Sequence, residues 1–155
     1  MGQEIERKFL VKNDDWKKFV SEQYAITQGY LNSDPERVVR VRIRDDKGIL
    51  TIKSKTIGIS RQEFEYEIPI SDANALIDLC EKPLIEKVRN IIVFEAKKWE
   101  VDVFYGENKG LVVAEIELDF AEEQINLPDW IGKEVSQDPK YYNANLFKNP
   151  IKKAL

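Results

Sequence analysis

The sequence predicts an α+β fold built on an eight-stranded, closed antiparallel β-barrel, a tunnel with a charged lumen and a few outer helices. Two observations predict it. Many short segments alternate apolar and polar residues, with turn residues between several of them, as antiparallel strands do. In nearly every such segment the polar positions are charged, so each strand has one charged and one apolar face. A barrel with its charged faces inward and its apolar faces packed outward accommodates both patterns.

Eight segments have the alternation expected of strands. Turn signals lie at 45–48, around Gly58 and at 106–110. The predicted strands are 3–11, 26–31, 37–45, 48–56, 61–69, 85–94, 97–105 and 110–119. Strands of this length joined by short turns favour antiparallel pairing over a parallel sheet.

Three helices are predicted between or after these strands. Residues 13–22 place Trp16 and Phe19 at helical spacing behind an Asn/Asp cap. A second helix, capped by Ser71, is expected to run to about Cys80, and a short third one covers 141–148. We expect these helices to cover the outer face of the barrel.

Composition restricts the kind of protein. The 155 residues predict a single domain, 1–155, and 34% charged with 43% hydrophobic residues is typical of a globular chain. The net charge of -4 does not indicate a nucleic-acid partner. No run is long enough to span a membrane and the N-terminus lacks a signal-peptide core, so we expect a cytoplasmic protein with no membrane partner. The oligomeric state is left open.

Two residue types set the chemistry that is available. Cys80 is the only cysteine, which excludes an intrachain disulfide, and its apolar neighbours predict a small buried side chain. There is no histidine, which excludes histidine-based triads and the usual zinc sites. Any metal site must therefore use oxygen ligands, which favours magnesium, manganese or calcium.

The most informative stretch is at the start of the chain. Glu4, Glu6 and Lys8 are spaced by two, with Ile5 between the two glutamates. In a strand, these two carboxylates and the ammonium share one face. Paired carboxylates suit a hard divalent cation, and a neighbouring lysine suits phosphate oxygens.

Similar charged faces recur along the chain, with basic and acidic residues largely on separate strands. The basic positions are Arg40, Arg42 and Arg44, then Lys53 and Lys55, then Lys87 and Arg89; the acidic ones are Glu63, Glu65 and Glu67, then Glu100 and Asp102, then Glu115, Glu117 and Asp119. A solvent-exposed face is the simplest alternative. However, rows of arginine repel one another unless an anion or carboxylates compensate them. We therefore favour a lumen that holds a linear polyphosphate together with divalent metal.

The ordered set of motifs resembles the CYTH superfamily, also called triphosphate tunnel metalloenzymes, and most closely its short bacterial branch of inorganic triphosphatases. The resemblance covers nearly the whole chain. The motifs are Glu4-x-Glu6-x-Lys8, Gln28-Gly29-Tyr30-Leu31, Arg40-x-Arg42, Thr51-x-Lys53, Arg61-Gln62-Glu63-x-Glu65, Glu86-Lys87-x-Arg89, Asp102, Glu115-x-Glu117 and Asp138-Pro139-Lys140-Tyr141-Tyr142-Asn143.

This resemblance implies a metal-dependent triphosphatase and a role for each site residue. The implied metal is Mg²⁺ or Mn²⁺, as two ions. The implied metal ligands are Glu4, Glu6, Glu115 and Glu117, assisted by Glu63, Glu65 and Asp102. The implied phosphate-binding residues are Lys8, Arg40, Arg42, Lys53, Arg61, Lys87 and Arg89. Lys87 and Tyr30 would form a proton-handling pair, and the helix near Tyr141 would plug one end of the tunnel.

Other functions remain compatible with the sequence. The resemblance also extends to class IV adenylate cyclases, which form cyclic AMP from ATP, and to thiamine or nucleoside triphosphatases. A cyclase needs a nucleoside pocket, for which Trp16, Trp99 or Trp130 could stack a base, although burial in the core is the simpler interpretation. A non-enzymatic polyphosphate-binding module would keep the arginines but has little need of the carboxylate pairs.

Overall fold

A computed structural model describes residues 2–146 and 148–150. Within them the chain forms nine strands and two α-helices. In chain order these are β1 (Gln3–Val11), β2 (Val20–Asn32), β3 (Arg37–Arg44), β4 (Lys47–Ser54), β5 (Ser60–Ile68), α1 (Ile70–Leu79), β6 (Ile85–Phe94), β7 (Lys97–Tyr105), β8 (Val112–Glu117), β9 (Ile131–Glu134) and α2 (Asn143–Leu146).

Eight of the strands close into an antiparallel barrel, as predicted. Their order around the barrel is β1-β5-β4-β3-β2-β6-β7-β8 and back to β1. Strand β1 closes it because its start pairs with β5 through Gln3–Ile5, and its continuation from Glu6 to Leu10 pairs with β8. The ninth strand, β9, is an addition that pairs with the end of β1.

Most of the hydrophobic core lies outside the barrel, because the apolar strand faces point outward. The larger outer layer covers β1, β6, β7 and β8 and contains Trp16, Trp99, Trp130, Phe9 and Ile116, all buried. A smaller layer lies beneath α1, where Ala73, Ile77 and Cys80 pack against Val41 on β3. The prediction that Cys80 is a buried apolar group is confirmed.

One end of the barrel interior is apolar and filled. Inward-facing residues of four strands, Val38, Ile85, Phe104 and Val113, surround the fully buried Leu146 of α2. This is the predicted plug at one end of the tunnel, and we refer to it as the closed end. The plug is short: a 3₁₀ turn at Pro139–Tyr141 precedes the α-helix Asn143–Leu146. The third helix was predicted to run to residue 148, and Phe147 in that range lies outside the described residues.

The predicted first helix is wrong. Only a 3₁₀ turn, Asp15–Phe19, forms there, and β2 already begins at Val20. Trp16 is buried, but Phe19 is 58% exposed, so the helical apolar stripe does not exist. Pairing with β6 extends β2 back to Val20, and this long-range contact outweighs the local helical pattern.

Two smaller differences concern the start of helix α1 and the additional strand β9. Helix α1 starts at Ile70 after Pro69, without a side-chain cap, so Ser71 lies inside the helix rather than capping it. The short strand β9 was not predicted, because four residues carry too little alternation to be recognised. Among the described residues, no helix is both long and apolar enough to cross a bilayer.

Candidate active site

The lumen holds a cavity of about 630 Å³ that is lined by both signs of charge. Its basic residues are Lys8, Arg40, Arg42, Arg44, Lys53, Lys55, Arg61 and Arg89. Its acidic residues are Glu4, Glu6, Glu63, Glu65, Glu100, Glu115 and Glu117. All of them belong to the predicted site except Arg44, Lys55 and Glu100, which were predicted on charged strand faces but without a role in the site.

Antiparallel register places these charges side by side. Residues that are paired across two strands point to the same side of the sheet. Lys53 on β4 therefore lies beside Glu63 on β5, and Lys8 on β1 beside Glu115 on β8. Around the barrel, the basic rows lie on β4, β3 and β6, with only β2 between them, and the acidic rows lie on the neighbouring strands β7, β8, β1 and β5. The lumen therefore has a basic side and an acidic side, which meet at β4–β5 and at β6–β7.

Glu4 is the most strongly paired carboxylate of the lumen. It accepts hydrogen bonds from Lys53 Nζ at 3.2 Å and from Arg61 Nε at 3.0 Å. Burial opposes ionisation of Glu4, but the charges of Lys53 and Arg61 outweigh it and hold its pKa well below the usual range. Lys53 also lies 3.4 Å from Glu63. Glu4 is therefore ionised at any physiological pH.

In contrast to Glu4, Glu6 has a raised pKa. Burial and the neighbouring carboxylates of Glu115 and Glu4 raise its pKa to about 8. The Glu6 carboxyl is hydrogen-bonded to Glu115, whose own pKa is held low, against the effect of burial, mainly by Lys8. Lys8 Nζ lies 3.4 Å from Glu115 Oε1. The pair Glu6–Glu115 thus shares a proton at neutral pH.

This carboxyl pair fits a hard divalent cation. Adjacent carboxylates that must share a proton are stabilised when a cation replaces it, and glutamate oxygens are preferred ligands of such ions. Among residues 2–146 and 148–150, however, no three acidic side chains converge into a ready-made metal cluster. Several carboxylates are instead paired with lysine and arginine, so coordination would require some of these ion pairs to open.

A second cluster of buried charged side chains surrounds Asp102. Arg89 donates from Nε and Nη2 to the two Asp102 oxygens at 2.8 and 2.9 Å, and Lys87 Nζ lies 2.8 Å from Oδ2. Burial, with Arg89 and Arg42 nearby, lowers the pKa of Lys87 to about 7, although Asp102 acts in the opposite direction. Lys87 therefore titrates near neutral pH, whereas an ordinary lysine stays charged there.

Polar residues at inward positions hold the two central arginines. Arg42 Nε donates to Gln28 Oε1 at 2.8 Å, and Arg40 donates to Thr51 Oγ1 at 3.2 Å. Burial and the charges of Arg40 and Arg89 lower the pKa of Arg42 to about 9, so it remains a cation at neutral pH. Gln28 also lies 3.5 Å from the hydroxyl of Tyr30.

The structure brings nearly all the predicted site residues to one cavity. The two exceptions are Lys87 and Asp102, which are buried in the wall and do not line the cavity. Tyr30 lines it, and burial raises the pKa of its hydroxyl. Arg44 lies at the lumen with its guanidinium 4.8 Å from the centre of the Tyr24 ring.

Some residues of the lumen were missed by the sequence predictions. Glu100 was predicted on the charged face of its strand, with the same parity as Asp102, but it was not assigned to the site. Gln28 and Thr51 also had the inward parity but no charge. Asn143 follows no strand pattern, because it lies beyond the last barrel strand.

The C-terminal segment, residues 136–146, contacts the lysines nearest to the closed end. Lys8 Nζ donates to the Tyr141 carbonyl at 3.3 Å and lies 5.6 Å from the centre of the Tyr142 ring. Lys87 Nζ donates to Asn143 Oδ1 at 3.2 Å. The plug therefore closes the barrel with the apolar Leu146 and also contributes polar groups to the wall of the lumen.

Residues 2–145 match the CYTH domain family. A protein of Acetivibrio thermocellus named inorganic triphosphatase is 52% identical over 153 residues, which is 98% of this chain and 97% of the relative. Another of that name, from Nitrosomonas europaea, is 32% identical over 147 residues, covering 92% and 95% of the two chains.

Solved structures show the same fold. The crystal structure of an inorganic triphosphatase superposes with a TM-score of 0.66 at 31% identity, covering 93% of both chains. A Hippeastrum protein, proposed as an adenylyl cyclase and described as having a dominant triphosphatase activity, superposes with a TM-score of 0.61 at 16% identity. That match covers 77% of this chain and 81% of the other, and at this identity it is a likeness of fold.

Proposed function

Since this chain belongs to the CYTH domain family, we propose that it is a metal-dependent triphosphatase that cleaves inorganic tripolyphosphate to pyrophosphate and phosphate. The observation that carries this proposal is the lumen, where both cations and carboxylates line one cavity. Cations alone would suit any polyanion. Carboxylates in the same cavity suit a polyanion that is bound together with divalent metal.

In this proposal the chain grips the substrate through its cations. Lys8, Arg40 and Arg42 lie at the lumen surface with Lys53, Arg61 and Arg89, and each can donate to phosphate oxygens. Gln28 and Thr51 hold Arg42 and Arg40 in place, so little conformational entropy is lost when phosphate binds. These contacts orient the phosphoanhydride for attack by water.

Magnesium or manganese, as two ions in this proposal, would be held by the carboxylates. Glu6 and Glu115 are the central ligands because they already share a proton, with Glu4 and Glu117 beside them and Glu63 and Glu65 assisting. Asp102 would first have to release Lys87 and Arg89. When bound, such ions neutralise the charge on the phosphoryl groups.

Lys87 and Tyr30 are the proposed proton-handling pair. Support for Lys87 comes from its pKa of about 7, which leaves part of its population neutral and able to accept a proton at neutral pH. Its complete burial means that it would act from the wall of the lumen, behind the residues that line the cavity. Tyr30 lies at the cavity surface and could relay the proton.

The competing functions receive less support. Trp16, Trp99 and Trp130 are at most 3% exposed and belong to the outer core, so they offer no ring face to a nucleoside in the lumen. This removes the stacking feature that the cyclase alternative relied on. A non-catalytic binding module leaves the carboxylates of the lumen without a role.

The test is phosphate release from tripolyphosphate, ATP and thiamine triphosphate, each with Mg²⁺, Mn²⁺ or EDTA. We expect strong metal-dependent release from tripolyphosphate that is lost in Glu4→Gln. Absence of release from every substrate would contradict the proposal. A cyclic AMP assay on the same samples would then distinguish a cyclase from a binding module.

A further inference from the structure

The closed end of the lumen has a polar floor formed by the C-terminal segment. Leu146 anchors this segment in the apolar end of the barrel, and Asn108 Nδ2 donates to the Leu146 carbonyl at 3.2 Å. Lys8 and Lys87 both donate to the segment, through the Tyr141 carbonyl and Asn143 Oδ1. Lys8 and Lys87 therefore flank the floor, and each is also paired with a carboxylate of the wall, Glu115 and Asp102 respectively.

In this floor, a charged neighbour determines how the Asn143 side chain is oriented. Lys87 Nζ donates to Asn143 Oδ1, and in its ammonium form Lys87 can only donate, so the Asn143 atom that faces charged Lys87 is the acceptor. Its Nδ2 group consequently points away from Lys87. Asn143 also lines the cavity of the lumen.

The amide hydrogens of Asn143 are left without a protein acceptor in the described part of the chain. Two other asparagines near the closed end use theirs: Asn145 Nδ2 donates to the Pro139 carbonyl at 2.8 Å, and Asn108 Nδ2 donates to the Leu146 carbonyl. The donor of Asn143 is thus available to a ligand, in a wall whose neighbouring cations attract phosphate.

We propose that Asn143 is a substrate-binding residue whose Nδ2 donates to an oxygen of the terminal phosphoryl group at the closed end of the tunnel. This inference rests on the proposed function. Because Leu146 fills the barrel beyond this point, a polyphosphate cannot pass through and must enter with a free end. The substrate must therefore have an unsubstituted terminal phosphoryl group at the end that reaches the floor.

Three variants test the role of Asn143. Asn143→Ala removes both the donor and the acceptor. Asn143→Asp keeps an acceptor for Lys87 but replaces the donor with a negative charge facing phosphate. Asn149→Ala is the matched control, because it makes the same chemical change on an exposed residue of the same terminal region that does not line the cavity. Equal melting temperatures establish that the variants are folded.

The readouts are kcat/KM for tripolyphosphate and the affinity for tripolyphosphate in EDTA, measured by titration calorimetry. Loss of a hydrogen bond to a charged group corresponds to about a tenfold to hundredfold change. We expect such a decrease in both quantities for Asn143→Ala, a larger one for Asn143→Asp, and none for Asn149→Ala.

Two results would overturn the inference. Wild-type values in Asn143→Ala would mean that the side chain does not contact substrate. Wild-type values in Asn143→Asp, with a decrease in Asn143→Ala, would mean that Asn143 serves only as an acceptor for Lys87. If the wild-type protein released no phosphate from any triphosphate, the proposed function would fail, and the titration in EDTA would still decide the role of Asn143.

Discussion

At the scale of single residues, the lumen holds charges that neutralise one another. Glu4 is paired with Lys53 and Arg61, and Glu115 with Lys8. Glu6 is the exception, since its neighbours Glu4 and Glu115 are also acidic and raise its pKa to about 8. A group whose charged form is disfavoured in the folded chain destabilises it, and this destabilisation is a signature of a binding site.

Glu6→Gln should stabilise the metal-free protein while abolishing hydrolysis. Between the ordinary pKa of 4.5 and about 8, folded Glu6 keeps a proton that the unfolded chain has lost, so stability decreases as pH rises through this window. In EDTA, the melting temperature of Glu6→Gln relative to wild type should therefore increase from pH 5 to pH 8. Each kcal/mol corresponds to roughly 2–4 °C.

The control for this experiment is Glu122→Gln, an exposed residue outside the lumen. It should follow wild type in both melting temperature and hydrolysis at every pH. A Glu6→Gln variant that is less stable than wild type at pH 8 would show that the neighbouring carboxylates do not destabilise ionised Glu6.

Lys87→Ala should reduce kcat rather than raise KM. Burial lowers the pKa of Lys87 to about 7, so the neutral base accumulates above that pH and kcat/KM of the wild type should rise through it. The variant should lose this rise together with about 10²–10⁴-fold of kcat, the usual contribution of a general base. An unchanged kcat with a raised KM would instead show that Lys87 only binds phosphate.

At the scale of elements, helix α1 depends on a close approach to the barrel. A Cβ atom at Gly48 on β4 would lie 2.5 Å from the Cβ of Ala73, closer than atoms can pack. Gly48 and Ala73 thus allow the helix to lie directly on the outer sheet face. The apolar positions of the helix were visible in the sequence, but the need for two small residues at one contact was not.

Gly48→Ala should destabilise the fold by about 1–3 kcal/mol, because the helix must move outward to relieve the overlap. Ala73→Gly removes the clashing atom at a cost of about 1 kcal/mol of helix propensity. The double variant should therefore be more stable than the sum of the two single changes, measured by urea unfolding. Strict additivity would indicate that the two positions are not in contact.

At the scale of the whole molecule, the barrel turns a net acidic chain into a receptor for a polyanion. The net charge is -4, yet eight lysine and arginine side chains, together with seven glutamates, line one cavity. Local charge in a partly desolvated lumen, rather than net charge, determines what binds there, because buried interactions are screened less than surface ones.

Tripolyphosphate in EDTA should raise the melting temperature of the wild type. A free ligand at 100 times its Kd stabilises the folded state by about 2.7 kcal/mol. The increase should become smaller as NaCl is added, because salt weakens the electrostatic part of binding. Orthophosphate at the same ionic strength is the control and should give a smaller increase, since it spans fewer of the cations.

The sequence by itself determined the strand alternation, and with it which side chains face the lumen. Residues such as Glu4, Arg40 and Glu115 were predicted for the site because strand parity is a local property of the backbone. Local pattern failed at β2, where pairing with β6 replaced a predicted helix. Only the tertiary structure decided which charges pair, that Lys87 lies behind the wall and that Asn143 reaches the lumen. These facts depend on strand register and on a segment distant in sequence, neither of which local periodicity encodes.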